Sequence, residues 1–488
     1  MTKPNILLFL PDQWRGDWLG FFGNLPVRTP NIDALARRGV VFSQTWTPSP
    51  ICAPARACFA TMENYDHCQV QHNHHDMDPA SPTLYRSVQE AGYKVASVGK
   101  IDLLKGKMDW GADGLHINDG VSAFNQLGFT DGSDSAGKHD AIKGYEDGKA
   151  EPFLTFLEKE GLAGKHVDDF NRRGPANPPT SVIGSQKNIY PVPPAYAVTD
   201  LSPLPDHAYC DNWVGRQAIE LIGQLTRSAE PWFLTVNFAG PHEPVDVTAK
   251  MRQKWENIVF PDPKLWNGTD RELHQAIRQN YAAMQELIDD WLGVAVKTLI
   301  EHGVLDNTIL IFASDHGDML GDYNLWAKKF PFEPSVHVPL VFAGPKIQAR
   351  SKYVDSATTL LDLAATIVDY SGAKRPGPAG SSLRPELENR ETQPRRAVSG
   401  LGSWRAISDG KHKLVAGWND DQIVSDIEHG IWNASEARTS MALFDAASDP
   451  FNQKDLSTEK PEIAERLWAD LLKEIKKPQD VQPEGRTS

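Results

Sequence analysis

The chain reads as an α/β protein in which a mostly parallel sheet is sandwiched by helices, followed by a smaller C-terminal unit. Three observations predict this. Short apolar runs (Asn5 to Leu10, Tyr93 to Val98, Trp232 to Phe238, Thr308 to Ala313) are continuous rather than alternating, as strands buried on both faces require. Stretches with helical apolar spacing separate them, the order expected of parallel strands joined by crossover helices. Polar residues follow each run directly, at the carboxyl edge where such sheets collect functional groups.

Taken in order, Asn5 to Leu10 is a central strand ending at Pro11-Asp12-Gln13. Thr29-Pro30 precedes a helix from Asn31 to Arg38 that Gly39 closes. Pro54 suits the first turn of a helix beginning at Ala55 and running to Met62, which puts Cys52 at its N-terminus. Ser81-Pro82 opens a helix to Glu90, Gly92 ends it, and the Tyr93 strand follows. Asn212 to Leu225 reads as helix, and Arg271 to Glu301 carries a long amphipathic period. A strand from Val338 to Phe342 and a helix from Asp355 to Tyr370 follow the Thr308 strand.

Composition narrows the setting. A chain of 488 residues, 40% hydrophobic and 23% charged, can bury a large core and has length for one big α/β unit plus a smaller domain. No apolar stretch approaches the roughly 18 residues that span a bilayer, so no membrane partner is expected. The Ile6 to Leu10 run is too short, and too soon followed by Pro11-Asp12, for a signal peptide, which predicts a cytoplasmic setting. Cysteines 52, 58, 68 and 210 form neither a disulfide framework nor a zinc spacing. A net charge of -14 disfavours a nucleic-acid surface. A site that handles an anion must therefore build its own positive field.

The chemistry-bearing residues fall at the strand ends. Asp12 and Gln13 follow the first strand, Lys100 and Asp102 the Tyr93 strand, His242 the Trp232 strand, and Ser314-Asp315-His316-Gly317 the Thr308 strand. Alone, each is also what a strand-to-loop turn, a helix cap or a solvated lysine would contain. Cys52-Ala53-Pro54-Ala55-Arg56 matches the pattern on which cysteine is oxidised to formylglycine, whose hydrated aldehyde is a geminal diol able to attack a sulfate or phosphate centre. Arg56 lies one helical turn from residue 52, within reach to hydrogen-bond it. Only three residues separate Cys52 from Arg56, which excludes the Cys-x5-Arg loop of thiolate phosphatases. Asp12, Gln13, Asp315, His316 and the oxygen of a modified residue 52 make a candidate cation site. Its carboxylates and amide suit a hard divalent ion, and the imidazole tilts the choice from Ca2+ toward Mn2+.

These blocks resemble the sulfatase family in sequence and order. Pro4-Asn5-Ile6 through Asp12, Thr29-Pro30-Asn31-Ile32-Asp33, Gly92-Tyr93 with Gly99-Lys100, Pro241-His242-Glu243-Pro244, Ser314 to Gly317, Lys328, Glu333 and Leu443-Phe444-Asp445 all carry the likeness. The resemblance implies an alkaline-phosphatase-like α/β domain over 1–375 and a small α+β subdomain over 376–488, with a short antiparallel sheet and a helix from Pro461 to Ile475. It implies metal ligation by Asp12, Gln13, Asp315, His316 and residue 52. Arg56, Lys100, His242 and Lys328 match groups that grip the sulfate and leaving oxygen, Asn73 matches a further substrate-binding position, and Asp315 assists the nucleophile. The implied partners are a small sulfated substrate (an aryl, sugar or alkyl sulfate ester) and a formylglycine-generating maturation enzyme.

The chain departs from the family in three places. Asp102 stands where many sulfatases have a histidine, which leaves the base that collapses the intermediate open, with Asp102 and His242 as the candidates. Gln13 and His316 together resemble phosphonate monoester hydrolases. After the signature helix stand Thr61-Met62 and a segment rich in histidine (67, 72, 74 and 75), which has no clean metal spacing and reads as a polar loop at the site entrance. The long polar insertion over 128–205 is expected at the mouth of the site, with His207 and Asp211 capping the next helix. Trp14, Trp18, Trp46, Trp110 and Trp326 read mainly as core. Sulfate ester hydrolysis is the leading reading, and phosphonate monoester or phosphodiester hydrolysis is its alternative. A non-catalytic anion- or glycan-binding module with unmodified Cys52 is the remote third. The leaving group and any oligomeric state stay open.

Overall fold

The central sheet follows from the apolar runs. The computed structural model describes residues 3–174, 192–348, 351–419 and 424–476. Eight strands build the sheet: β1 (Asn5–Phe9), β2 (Val40–Phe42), β3 (Lys94–Gly99), β4 (Asp131–Gly132), β5 (Trp232–Asn237), β6 (Thr308–Ala313), β7 (Leu340–Ala343) and β8 (Lys352–Val354). Their order is β8-β2-β7-β6-β1-β5-β3-β4, and β7 alone runs antiparallel to its neighbours. β1 lies centrally, with Leu7 beside Leu234 on one side and Leu310 on the other.

Alternate residues of β1 enter two cores, which is why the run is apolar throughout. Ile6 and Leu8 pack with Ala53 and Ala57 of α2 (Cys52–Thr61), Leu84 and Val88 of α3 (Leu84–Glu90), and Leu363 of α6 (Leu360–Ser371). Leu7 and Phe9 pack on the opposite face with Ile32 and Leu35 of α1 (Pro30–Arg38), Val214 of α4 (Cys210–Leu225) and Leu292 of α5 (Arg271–Glu301). Truncating such a side chain, as in Phe9→Ala, costs about 3–5 kcal/mol through lost transfer energy and the cavity left behind.

The C-terminal unit is a four-stranded antiparallel sheet, β9 (Ala397–Leu401), β10 (Trp404–Ser408), β11 (His412–Ala416) and β12 (Ala442–Asp445), in that order. Helix α7 (Pro461–Glu474) covers it, with Leu467, Trp468 and Leu471 against Ile407, Leu414 and Leu443. Among the described residues no helix is long and apolar enough to cross a membrane.

Sequence boundaries shift for local reasons, the helix expected from Ser81-Pro82 starting at Leu84 because the Thr83 hydroxyl accepts from Arg86 N. The Val338 to Phe342 run divides at Pro339, which has no N–H for a ladder. His337–Val338 pairs with Thr45–Trp46 in a separate small sheet, and Leu340–Ala343 becomes β7. The helix expected from Asp355 starts at Leu360, because Thr359 and Asp362 form a reciprocal capping box there. Helix α2 begins at Cys52 rather than Ala55. Within 128–205 the chain forms helices Gly137–Glu146, Pro152–Lys159 and Ala163–Arg173, while 175–191 lie outside the described residues.

Candidate active site

Helix α2 delivers Cys52. Its small residues Ala53, Ala55, Ala57 and Ala60 let it sink into the core, and every residue from Cys52 to Ala60 is buried. Ile51, the residue before the helix, offers no side-chain cap, so Asn73 supplies one from outside: its Oδ1 accepts from Ala53 N at 3.0 Å. The open, positive end of α2 therefore faces the strand edge with Cys52 on it.

The loops after β1 and β6 close on that thiol. Ser314 Oγ accepts from Trp14 N and lies 2.9 Å from the Pro11 carbonyl, lacing the two loops together. Asp315 Oδ1 accepts backbone N–H bonds from Gln13 at 3.0 Å and His316 at 2.9 Å, and its Oδ2 accepts from Arg56 Nε at 2.9 Å. The Gln13 backbone is left-handed, φ 68°, which turns the chain into this contact. His316 Nδ1–H donates to Gly317 O at 3.0 Å, leaving Nε2 as a lone pair 3.2 Å from Cys52 Sγ and 3.5 Å from Asp12 Oδ1.

The ligand atoms of Asp12, Cys52, Asp315 and His316 all lie within 4.8 Å of one another. Two carboxylates, a lone-pair imidazole nitrogen and a residue-52 oxygen fit a divalent cation. The buried Arg56 Nη2 has no hydrogen-bond partner and stands 3.6 Å from Asp12 Oδ2, so the pocket also leaves a donor for an anionic group.

Lysines make the other wall. Lys100 Nζ lies 2.5 Å from Asp12 Oδ2 and 3.8 Å from Sγ. Lys328 Nζ donates to Gln13 Oε1 and His242 Nε2, each at 2.7 Å, and lies 3.1 Å from Sγ. His242 Nδ1–H donates to Glu243 O at 2.7 Å, which fixes Nε2 as the acceptor. Burial alone would raise the Asp12 carboxyl, but the Lys100 and Lys328 ammonium groups outweigh it and hold the group well below its ordinary range. Burial and Asp12 push the Cys52 thiol up; Lys100, Lys328 and Lys105 overcome them and depress it. Lys328 stays charged, since Cys52, Asp12 and Glu243 override a burial that favours the neutral amine.

Several residues sit differently from the sequence expectation. Arg56 does not bond residue 52; it grips Asp315, the Lys100 carbonyl at 2.7 Å and Asn237 Oδ1 at 3.3 Å, because the helical turn aims its guanidinium along the sheet edge. Asp102 Oδ2 faces Lys105 at 2.9 Å and Lys100 at 3.3 Å, so its contacts orient a cation. Gln13 gives its amide oxygen to Lys328 and its nitrogen to Tyr196, Glu243 and Asp318. Asn73 serves the helix end. Asp211 lies inside the first turn of α4 and accepts from Ala239 N and Gly240 N, anchoring the loop that carries His242, while His207 faces Glu160. All five tryptophans near the motifs are buried. The motifs give no sign of Tyr196, Asp211 and Asp318 as site supports. Asp318 follows His316 by two residues and was within reach of a motif argument, but Tyr196 lies in the insertion with no local signal.

Residues 4–373 match the family model described as Sulfatase. The chain belongs to the sulfatase family. It is similar to an arylsulfatase of Clostridium perfringens, 26% identical over 501 residues covering 97% of this chain and 94% of that protein. A choline-sulfatase of Rhizobium meliloti is 28% identical, covering 87% of this chain and 80% of its own length. In fold, this sulfatase superposes on a phosphonate monoester hydrolase of Agrobacterium radiobacter with a TM-score of 0.72 at 21% identity, across 97% and 95% of the two chains. The family makes it a sulfuric ester hydrolase with the alkaline-phosphatase-like architecture.

Proposed function

We propose that this sulfatase hydrolyses small sulfate esters with a formylglycine made from Cys52 and a divalent ion held beside it. The observation that carries the reading is the position of Cys52 Sγ, at a buried helix N-terminus and within 3.8 Å of Asp12, His316, Lys100 and Lys328 together.

Hydrated formylglycine supplies two geminal hydroxyls, one to displace the ester oxygen at sulfur and one whose deprotonation expels sulfate. Asp12, Asp315, His316 and the residue-52 oxygen would hold a divalent ion, which would supply positive charge to lower the hydroxyl pKa and polarise a sulfate oxygen. The protein does the rest. Asp315, fixed by two backbone N–H groups and Arg56, keeps its carboxylate turned to the cluster. The free Arg56 Nη2 and Lys100 meet charge on the transferring sulfate. Lys328 donates a hydrogen bond to His242 Nε2 across 2.7 Å, and its ammonium can give a proton to the departing alcohol. His242, whose Nε2 is the acceptor of that bond, is placed to take a proton during breakdown. Asp102, taken up by two lysines, serves that step less well.

Mass spectrometry of the peptide spanning residue 52, after co-production with a maturation enzyme, tests the modification: conversion lowers the mass by about 18 Da. Cys52→Ala then abolishes turnover of 4-nitrophenyl sulfate, and full activity in that variant would sink the reading. A second reading, phosphonate monoester or phosphodiester hydrolysis, draws support from the Gln13 and His316 pair. Side-by-side turnover of an aryl sulfate, an aryl phosphonate and a phosphodiester separates the two.

A further inference from the structure

Two segments outside the catalytic cluster bring four imidazoles together beside it. His72, His74 and His75 lie on the turn that Asn73 ties to α2, and His429 ends the Val424–His429 segment of the C-terminal unit. Ring centroids are 3.6 Å apart for His72 and His75, 5.3 Å for His72 and His429, and 6.0 Å for His72 and His74. His72 and His75 are part-buried, and His74 and His429 are exposed. Two short links join the cluster to the reacting centre. Asn73 binds the N–H of Ala53, the neighbour of Cys52. Lys329, the neighbour of Lys328, donates to Glu428, the neighbour of His429, at 2.7 Å.

The backbone decides what these rings can offer. Gln71 N–H donates to His75 Nδ1 and His74 N–H donates to His72 Nδ1, both at 3.3 Å. A ring nitrogen that accepts from an amide carries a lone pair, so each neutral ring holds its proton on Nε2 and has an N–H to give to a ligand oxygen. A cation would need that same Nε2 stripped of its proton. Among the described residues, the only group of histidine, cysteine and carboxylate ligands close enough for an ion is the one around Cys52.

The fixed charges around the cluster cancel, so an anion meets no net repulsion there. His72 faces His74 and His75 on its own turn and Glu428 and His429 from the C-terminal unit, with Lys329 beyond. Burial would raise the Glu428 carboxyl, but Lys329 outweighs it and holds the group ionised. Burial, then His75, disfavours charge on His72 in the free protein. A negative group arriving among the rings reverses that preference and draws a proton in with it.

Resting on the sulfate ester reading, we propose that the His72–His75 turn and His429 form a subsite for a second anionic group, a carboxylate or a second sulfate, carried by the part of the substrate that leaves. Lys328, on the leaving-group side of the mechanism, continues directly into Lys329 and so toward this cluster.

The probe is a pair of chromogenic esters, 4-nitrophenyl sulfate and 3-carboxy-4-nitrophenyl sulfate. Their kcat/KM ratio is expected to favour the carboxylated ester at pH 6 and to fall about tenfold by pH 8, the factor that one unit of imidazole titration carries. The His72→Gln/His75→Gln double variant, whose amides still donate but cannot take a proton, loses the pH dependence of the ratio and keeps 4-nitrophenyl sulfate turnover within about twofold. His429→Gln, at an exposed side chain on another element, repeats the test independently of the turn's folding. A pH-independent ratio in the wild type, or one unchanged in the variants, overturns the subsite. Failure to cleave either ester when residue 52 is shown to be formylglycine overturns the sulfatase mechanism instead.

Discussion

Replacing Lys328 by methionine removes one ammonium group that touches three parts of the site at once. Its Nζ bonds Gln13 Oε1 and His242 Nε2 at 2.7 Å and stands 3.1 Å from the residue-52 side chain. A unit charge at that distance, with an effective dielectric constant of about 20, interacts by roughly 5 kcal/mol, which is a ceiling on its effect at the reacting centre. Loss of the proton it delivers to the leaving oxygen accounts for about 10²–10⁴-fold, or about 3–5 kcal/mol, inside that ceiling. The two effects separate by leaving group. An alkyl sulfate must leave with a proton and is expected to lose the full factor in kcat. 4-Nitrophenolate leaves without one and is expected to lose about tenfold or less. Single-turnover rates on both esters measure the split, with residue-52 occupancy checked by mass spectrometry. An equal loss on both esters, or none on the alkyl ester, refutes the assignment of Lys328 to the leaving oxygen.

The remaining predictions concern stability and the ion. Glu151 accepts from Leu154 N and Ala136 N at the head of the Pro152–Lys159 helix, and burial, eased by hydrogen bonds from Ser135, Leu154 and Ala136, pushes its carboxyl from 4.5 up to about 7. The folded state thus holds a proton that the unfolded chain releases, so this contribution is complete below pH 4.5 and is lost as pH rises through 7, by about 3 kcal/mol at most. Urea midpoints at pH 5 and pH 7.5 should fall less in Glu151→Gln than in the wild type, and parallel falls would contradict the buried proton. Chelation with EDTA is expected to abolish turnover, with Ca2+ or Mn2+ restoring it. Ion at 100 times its Kd should raise the unfolding free energy by about 2.7 kcal/mol, an increment that Asp315→Asn loses if Asp315 is a ligand.

The sheet was legible because burial on both faces leaves a plain trace. β1, β5 and β6 are apolar at every or nearly every position, and Thr308–Ala313 and Arg271–Glu301 fall where continuous burial and the helical period end. Boundaries failed where one residue with a special backbone decided them. Pro339 interrupts a ladder that its apolar neighbours would continue, and the Thr359–Asp362 capping box starts α6 after apolar spacing has already begun. Strands β2, β4 and β8 are two or three residues long and take their conformation from the neighbour they pair with, which local pattern does not carry.

The candidate site residues come together for a different reason than their supports. Asp12, Lys100, His242 and Asp315 occupy strand ends, so topology alone brings them to one edge, and Cys52 rides a helix start marked by Pro54. What orients them crosses the chain at separations no motif records. Gln13 reaches Tyr196, Glu243 and Asp318, and the His242 loop hangs from Asp211. These contacts also answer how a chain of charge -14 builds a site for anions. Asp12 is paired with Lys100, Asp102 with Lys105, and Asp315 with Arg56, so these three carboxylates are balanced. Arg56 keeps one buried N–H donor unused, and Lys328 leans on neutral partners, Gln13 and His242, rather than on a carboxylate. An arriving sulfate thus meets donors already desolvated and aimed, an Arg56 N–H that no acceptor has taken and a Lys328 ammonium hydrogen-bonded to neutral groups, and local geometry outweighs the sign of the whole molecule.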